Sequence, residues 1–275
     1  MRLATVRYKA VTYAARVEDD HYELLPEPDL GALLGSVGGL GEVSALAPTR
    51  QVAHEEADLL TLVPRPSKVM CIGQNYMRHI EEVGAEPPQH PTVFAKYARA
   101  LIADGDPIVI PSISDRLDWE VELVMVIGRL VRNASSLQAE QAIAGFTVGN
   151  DVSARDLQNR TSQWLQGKTC EATTPVGPWM TTSDVVGSAP DLAITCSVDG
   201  DVRQNSRTSD MLFKPVELVE YLSRIITLEP GDLIFTGTPG GVGQGMVPPV
   251  FLRPGQVVKS SIESIGSLVN PCRAA

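Results

Sequence analysis

Apolar residues along most of this chain alternate with polar ones or form short continuous runs, which is the pattern of β-strands. The clearest case is LDWEVELVMVIG, residues 117–128. Its second half is apolar at every position, as expected of a strand buried on both faces. On these patterns, strands are predicted at residues 69–72, 92–94, 108–110, 120–127, 144–148, 192–198, 233–236 and 257–262.

From residue 66 onwards, helical periodicity is confined to three segments. They are YMRHIEEVG (76–84), SLQAEQAIAG (136–145, capped by Ser135 or Ser136) and KPVELVEYLSRII (214–226). The last has Pro215 in its first turn and apolar residues at helical spacing. Many strands with few, segregated helices predict a β-rich α+β fold.

The first 65 residues differ from the rest, because their short apolar runs are interrupted by turns. Residues 5–25 predict two strands or a hairpin, and DLGALLGS (29–36) predicts a short helix. Pro64 and Pro66 then punctuate a linker. We therefore expect a small N-terminal lobe over residues 1–65 and a second domain over residues 66–275.

Composition and charge exclude some classes of function. The 275 residues carry a net charge of −10 and contain no Lys/Arg-rich run, which argues against binding to nucleic acid or anionic membranes. The N-terminus lacks a signal-peptide apolar core, and the four cysteines form no CxxC pair. A cytoplasmic protein with reduced thiols is the expectation.

Two acidic residues stand where the buried strand begins. Glu120 and Glu122 lie two positions apart, so they share one face and repel each other. Either this face is solvated or a cation lies between the carboxylates, and the strand alone leaves both open. Asp151 follows the strand AGFTVGN; it is either a turn acid or a third carboxylate. Three carboxylates without His or Cys favour a hard cation, Mg²⁺ or Mn²⁺.

Further groups could carry chemistry. His79 and Glu82 are three apart and share a helix face, so Glu82 could orient His79 as a general base; a chance surface pair is the alternative. Lys96 and Lys168 could balance an anionic substrate, although most single lysines are simply exposed. The turn TGTPGGVG, which includes Thr238, lacks nucleotide-loop spacing but could hold a carboxylate; a plain turn is the alternative.

The order of these segments resembles the fumarylacetoacetate hydrolase family over roughly residues 69–262. The segments are GQNYMRHIEE, PTVFAKY, LDWEVELVMVIG, GFTVGNDVSARDLQ, GKTCEATTPVGPW, VDGDVRQNSRTSDMLF and IFTGTPGGVG. The resemblance implies a mixed β-sandwich roll and, usually, a homodimer. It implies a divalent cation held by Glu120, Glu122 and Asp151, a catalytic His79–Glu82 pair, a charge-sharing Lys168, and substrate contacts from Lys96, Gln158 and Thr238.

The family performs several reactions on 2-oxo acids, and they share an enolate. The predicted function is metal-dependent C–C hydrolysis of a 2,4-dioxo acid of the acylpyruvate or fumarylpyruvate type, because the His79–Glu82 pair suits activation of water. Oxaloacetate decarboxylation and isomerisation of an unsaturated 2-oxo acid are the alternatives, and a non-catalytic, metal-stabilised dimer module is a more distant one. Cys170, Glu171 and Thr173 depart from the family pattern, which affects the expected pocket shape. Residues 84–91 predict either a lid or a rigid turn.

Overall fold

The computed structural model describes residues 1–82, 86–188 and 190–275. Strands account for 38% and helices for 22% of the chain, so the predicted β-rich α+β class is confirmed. Within the described residues, no helix is long and apolar enough to cross a bilayer.

The strands group into two main sheets and a small one. The first sheet has twelve strands, which are Arg2–Tyr8 (β1), Val11–Val17 (β2), His21–Leu24 (β3), Arg50–Ala53 (β4), Asp58–Leu59 (β5), Val69–Gly73 (β6), Thr92–Lys96 (β7), Leu101–Ile102 (β8), Val121–Ile127 (β11), Ile143–Asn150 (β12), Thr174–Thr182 (β14) and Leu233–Phe235 (β17). The second has five, Ile108–Ile110 (β9), Ala193–Val198 (β15), Asp201–Arg207 (β16), Val257–Ile262 (β18) and Gly266–Ala274 (β19). Leu117–Asp118 (β10) and Ser153–Ala154 (β13) form a separate pair.

Helices connect and cover these sheets. They are Leu30–Ser36 (α1), Leu40–Ala45 (α2), Met77–Glu82 (α3), Ser136–Ala142 (α4), Arg155–Gln158 (α5), Leu165–Lys168 (α6), Ser183–Val186 (α7) and Pro215–Ile225 (α8). The three predicted helices correspond to α3, α4 and α8. Pro215 begins α8, and Glu217 caps it by accepting from the Lys214 N–H at 2.7 Å.

The large sheet runs in the order β4-β3-β2-β1-β14-β12-β11-β17-β6-β7 and is mostly antiparallel, with β17 parallel to β6. One of its faces packs against the five-stranded sheet, and the other is covered by α1. Because both faces are buried, β11 has no exposed residue. Its Leu123 and Met125 belong to the core between the sheets, while Val124 and Val126 pack on the α1 side.

The N-terminal strands continue the large sheet. Strand β1 pairs with β14 in the register Arg2↔Thr181 and Leu3↔Met180, so β1–β5 extend the sheet that contains β11 and β12. A separate apolar cluster, which includes Val6, Val17 and Tyr22, gives this part its own core. The boundary at residue 65 stays a prediction.

Strand β14 is the main element that the pattern analysis missed. Its sequence TPVGPWMTT contains two prolines, which ordinarily argue against a central strand. The structure accommodates Pro178 at an irregularity, because the register between β12 and β14 shifts between Phe146 and Val148, whereas Pro175 pairs with Ile102 of β8. The strand is nevertheless central, because β1 pairs with it on one side and β12 on the other.

Candidate active site

The strand register brings the three predicted carboxylates together. Strand β11 pairs with β12 so that Glu122 lies opposite Gly149, and Asp151 follows β12 directly. The Asp151 N–H donates to the Glu120 carbonyl oxygen at 2.8 Å, which fixes these two backbones side by side. An oxygen from each of Glu120, Glu122 and Asp151 lies within 4.8 Å of the others.

All three carboxylates are buried. Glu120 is 7% exposed, Glu122 1% and Asp151 0%. A solvated strand face is therefore excluded as the explanation of the Glu120–Glu122 pair. Buried charges of one sign must be compensated by cations, because their desolvation and mutual repulsion are both unfavourable.

Two lysines supply part of this compensation. Lys168, at the end of α6, places its Nζ 2.7 Å from Oε2 of Glu120 and 2.8 Å from Oδ2 of Asp151. Lys96, at the end of β7, places its Nζ 2.7 Å from Oδ1 of Asp151 and donates to the carbonyl oxygens of Val152 and Lys168. Both ammonium groups are buried, so neither is the exposed surface lysine of the alternative interpretation.

Arg155 provides the third cation. Its Nη1 lies 2.6 Å from Oε1 of Glu120 and donates to the side-chain oxygen of Gln158 at 2.9 Å. Its Nε donates to Oδ2 of Asp118 at 2.8 Å. Burial alone would raise the pKa of Glu120, but Lys168 and Arg155 outweigh that effect and lower the pKa to about 2.

The cluster retains a negative charge. Four carboxylates lie among three cations, and these groups are Asp118, Glu120, Glu122, Asp151, Lys96, Arg155 and Lys168. Among the described residues, no cation forms an ion pair with Glu122, which accepts the Gly237 N–H at 2.7 Å. Burial, and then Asp151 and Glu120, raise the pKa of Glu122 well above its ordinary value.

These residues fit a divalent cation. The donor set is entirely oxygen, which suits Mg²⁺ or Mn²⁺. Although Lys96 is close to Oδ1 of Asp151, this buried oxygen accepts no hydrogen bond from the described residues, so its lone pairs remain available to a ligand. A bound cation would also neutralise the excess charge at Glu122.

A cavity of about 250 Å³ opens onto the cluster. Glu120, Glu122 and Lys168 line it, together with the predicted contacts Gln158 and Thr238. The remaining predicted contact, Lys96, is buried beside Asp151. The structure thus brings together seven of the nine predicted site residues, and their individual roles stay predictions.

The predicted base lies outside this description. His79 and Glu82 belong to α3 by position, but their side chains are not described. Residues 83–85, which include the first two residues of the 84–91 segment, also lie outside the described residues. The hypotheses of a general base and of a lid therefore stay predictions from the sequence.

Several cavity residues were missed by sequence reasoning. Phe94 and Trp164 form aromatic walls, with ring centroids 5.4 Å apart, and Asn159 and Gln244 add carboxamides. The sequence analysis assigned no role to Arg155, and its neighbour Asp156 accepts from the Ser114 hydroxyl at 2.5 Å. One feature of the sequence could have indicated that Asp118 belongs to this cluster. Asp118 lies two residues before Glu120, so strand alternation places the two carboxylates on the same face.

A known protein family matches most of this chain. The family model described as the C-terminal domain of fumarylacetoacetate (FAA) hydrolase matches residues 68–273. The chain belongs to the fumarylacetoacetate hydrolase family. The resemblance seen in the sequence motifs is thereby confirmed, and an enzyme is the supported class.

Individual relatives in the family carry different activities in their names. The mitochondrial oxaloacetate tautomerase FAHD2A of Bos taurus is 39% identical over 275 residues, covering 90% of this chain and 88% of its own. The 5-carboxymethyl-2-hydroxymuconate delta-isomerase of Mycobacterium smegmatis is 33% identical, with a TM-score of 0.83 and full coverage of both chains. The fumarylacetoacetate hydrolase of Exiguobacterium antarcticum is 31% identical, with a TM-score of 0.87 and the same coverage.

Proposed function

We propose that this family member interconverts the keto and enol forms of a small 2-oxo acid, with oxaloacetate as the first substrate to test. The observation that carries the proposal is the buried Lys168 ammonium, which bonds two of three clustered carboxylates at the wall of the cavity. Such a site suits a reaction in which negative charge develops on a substrate oxygen. The names of the tautomerase and isomerase relatives support it further.

The carboxylate cluster sets the chemistry of the site. A divalent cation held by Glu120, Glu122 and Asp151 would supply a Lewis acid that stabilises the enolate charge. Lys168 would donate hydrogen bonds to the same developing charge. Asp151 and, after it, Glu120 raise the pKa of Lys168 against the opposing effect of its burial, so this side chain remains cationic and acts as a charge stabiliser rather than as a base.

Other side chains would orient the substrate. Arg155 holds the side-chain oxygen of Gln158, which leaves the Gln158 amide nitrogen to donate to a substrate carboxylate. The Thr238 hydroxyl donates to the Val121 carbonyl and accepts from Gln204, so its position in the cavity wall is fixed. Phe94 and Trp164 would exclude water from the enolate.

Tautomerisation also needs a group that removes and returns the proton at carbon 3. We assign this role to His79, oriented by Glu82, on the strength of the family resemblance. C–C hydrolysis, the main prediction from the sequence, would require the same pair to activate water. The tautomerase and isomerase names of the relatives favour the isomerisation alternative over hydrolysis.

The test is a turnover assay on metal-free protein with Mg²⁺, Mn²⁺ or EDTA. Enol-oxaloacetate is added, and loss of its ultraviolet absorbance is followed while pyruvate is measured in parallel. We expect metal-dependent decay of the enol without pyruvate. Pyruvate at the same rate would instead indicate a decarboxylase, and cleavage of acetylpyruvate or fumarylpyruvate a hydrolase. If none of these three substrates showed metal-dependent turnover, the result would favour the non-catalytic, metal-stabilised dimer module.

Assembly and location are separate proposals. We propose a homodimer, to be tested by light scattering of the purified protein, with a monomer mass contradicting it. We also propose a cytoplasmic location, to be tested by fractionation of cells that express the natural protein.

A further inference from the structure

Asp118 is a buried carboxylate that none of the predicted roles includes. It is 0% exposed and accepts four hydrogen bonds. Oδ1 accepts the N–H groups of Trp119 (2.9 Å) and Gly243 (2.7 Å). Oδ2 accepts the Gln244 N–H at 3.0 Å and Arg155 Nε at 2.8 Å. Each oxygen therefore has two donors, which fixes the carboxylate in one orientation.

A small two-stranded sheet places Arg155 against this carboxylate. Strand β10 pairs with β13 in the register Leu117↔Ala154 and Asp118↔Ser153, and the Arg155 N–H donates to the Arg116 carbonyl at 3.0 Å. The guanidinium is planar and its donors form a rigid fork. Fixing Nε on Asp118 therefore fixes the position of Nη1, which lies 2.6 Å from Oε1 of Glu120.

We propose that Asp118 is a positioning residue that holds the Glu120 carboxylate in its ligand orientation through Arg155. With Oε1 of Glu120 directed to Arg155, Oε2 faces Lys168 and the cavity. Without Asp118 the guanidinium has no partner at Nε, and it can rotate away from Glu120. Residues that orient metal ligands from behind contribute strongly to metal affinity.

The same carboxylate holds part of the cavity wall. The N–H groups of Gly243 and Gln244 both point to Asp118, and Gln244 lines the cavity. Glycine is required for this approach: a Cβ at position 243 would lie 2.8 Å from Oδ1 of Asp118 and 2.0 Å from the Val250 carbonyl oxygen. Asp118 thus connects the glycine-rich turn after β17 to the carboxylate cluster.

The experiment measures Mn²⁺ affinity by titration calorimetry on metal-free protein, well below its melting temperature. For Asp118→Asn we expect the Kd for Mn²⁺ to rise about 10- to 100-fold. Arg155→Gln should give a comparable rise. The double variant should be no weaker than Arg155→Gln alone, because Asp118 acts through Arg155.

The matched control is Asp232→Asn. Asp232 is also 0% exposed, and it accepts the N–H groups of Lys68 (2.9 Å) and Glu229 (2.7 Å) with the Lys68 Nζ at 3.0 Å. This variant should lose stability as Asp118→Asn does but keep the wild-type Kd for Mn²⁺. The control separates a positioning role from a purely structural one.

Three outcomes would overturn the proposal: an unchanged Kd in Asp118→Asn, multiplicative losses in the double variant, or wild-type protein that binds no Mn²⁺. If Arg155→Gln does not fold, equal Mn²⁺ affinities for Asp118→Asn and Asp232→Asn would overturn it. The inference rests on the metal site within the proposed function. Its experiment uses no substrate, so it can fail while the enol assay succeeds, and the reverse also holds.

Discussion

Glu122 provides a sharp test of the carboxylate cluster, because one substitution should change stability in opposite directions with and without metal. Glu122→Gln removes a charge that has no cation partner among the residues described in the structure, and the Gln carbonyl can still accept the Gly237 N–H. At 4.8 Å, two like charges repel by about 3.5 kcal/mol for an effective dielectric constant of about 20. Glu122 has two such neighbours.

The net gain is smaller than this repulsion. Lys168 offsets part of it, and the carboxyl can take up a proton in the metal-free protein. We therefore expect metal-free Glu122→Gln to be more stable than wild type by about 1–3 kcal/mol, or several degrees in melting temperature. Saturating Mg²⁺ should reverse the order, because it stabilises only the form that binds it.

The sign of the pH dependence follows from the raised pKa of Glu122. A carboxyl whose pKa is higher in the folded state binds more protons when folded, so the metal-free protein loses stability as pH rises from about 4.5 through the raised value. The pKa of Glu120 is lowered from 4.5 to about 2, so its contribution to stability is lost as pH falls below about 4.5. It therefore does not affect the pH dependence above that value. Because Gln does not titrate, the stability of metal-free Glu122→Gln should change less with pH above about 4.5 than that of wild type.

Thermal melts with EDTA and with Mg²⁺, across this pH range, provide the measurement. The exposed Glu55 supplies the control: Glu55→Gln should melt like wild type in both conditions. If metal-free Glu122→Gln melted below wild type, the assignment of repelling, undercompensated carboxylates would be refuted.

Three further predictions concern other residues. Lys168→Met should reduce kcat in the enol assay by about 10²- to 10³-fold, because a donor that stabilises the developing charge is lost. The control Lys259→Met, at an exposed position of β18, should keep the wild-type kcat. Equal rates for the two variants would exclude Lys168 from the chemistry. Gly149→Ala should destabilise the protein by about 1–3 kcal/mol in chemical denaturation, because its Cβ would lie 2.5 Å from Val124 Cγ2, and an unchanged midpoint would contradict this packing. Cys170 alone should react with a maleimide in the native protein, since the other three cysteines are buried; mass spectrometry would reveal any second adduct.

The hydrophobic pattern predicted the strands of the core because their burial is expressed directly in the sequence. Residues 120–127 form β11 almost as expected, since a strand buried on both faces is apolar at nearly every position and β11 departs from this only at Glu122. Strand β14 could not be predicted this way. Pro178 lies where the register with β12 shifts, and that irregularity depends on the partner strand.

In the candidate site, too, some features could be predicted from the sequence and others could not. Three acids on two neighbouring strands could be expected to meet, because strand ends and alternation determine where their side chains lie. The role of Arg155 could not be predicted, since it depends on β10 pairing with β13, and each of these strands has only two residues. The choice of hydrolysis from the His79–Glu82 pair was not decisive either, because isomerisation would use the same pair to move a proton.

The pairing of β1 with β14 has a consequence for synthesis on the ribosome. Strand β1 is complete at Tyr8, but the partner that it pairs with in the sheet ends at Thr182. At about 5–20 residues per second, translation of the intervening chain takes about 10–35 s. During this interval β1 can pair with β2 and, once residue 59 has been made, with β5, but its first residues, Arg2 and Leu3, still lack their partners on β14. Nascent chains should therefore be most prone to aggregate, and most dependent on chaperones, until residue 182 has left the exit tunnel.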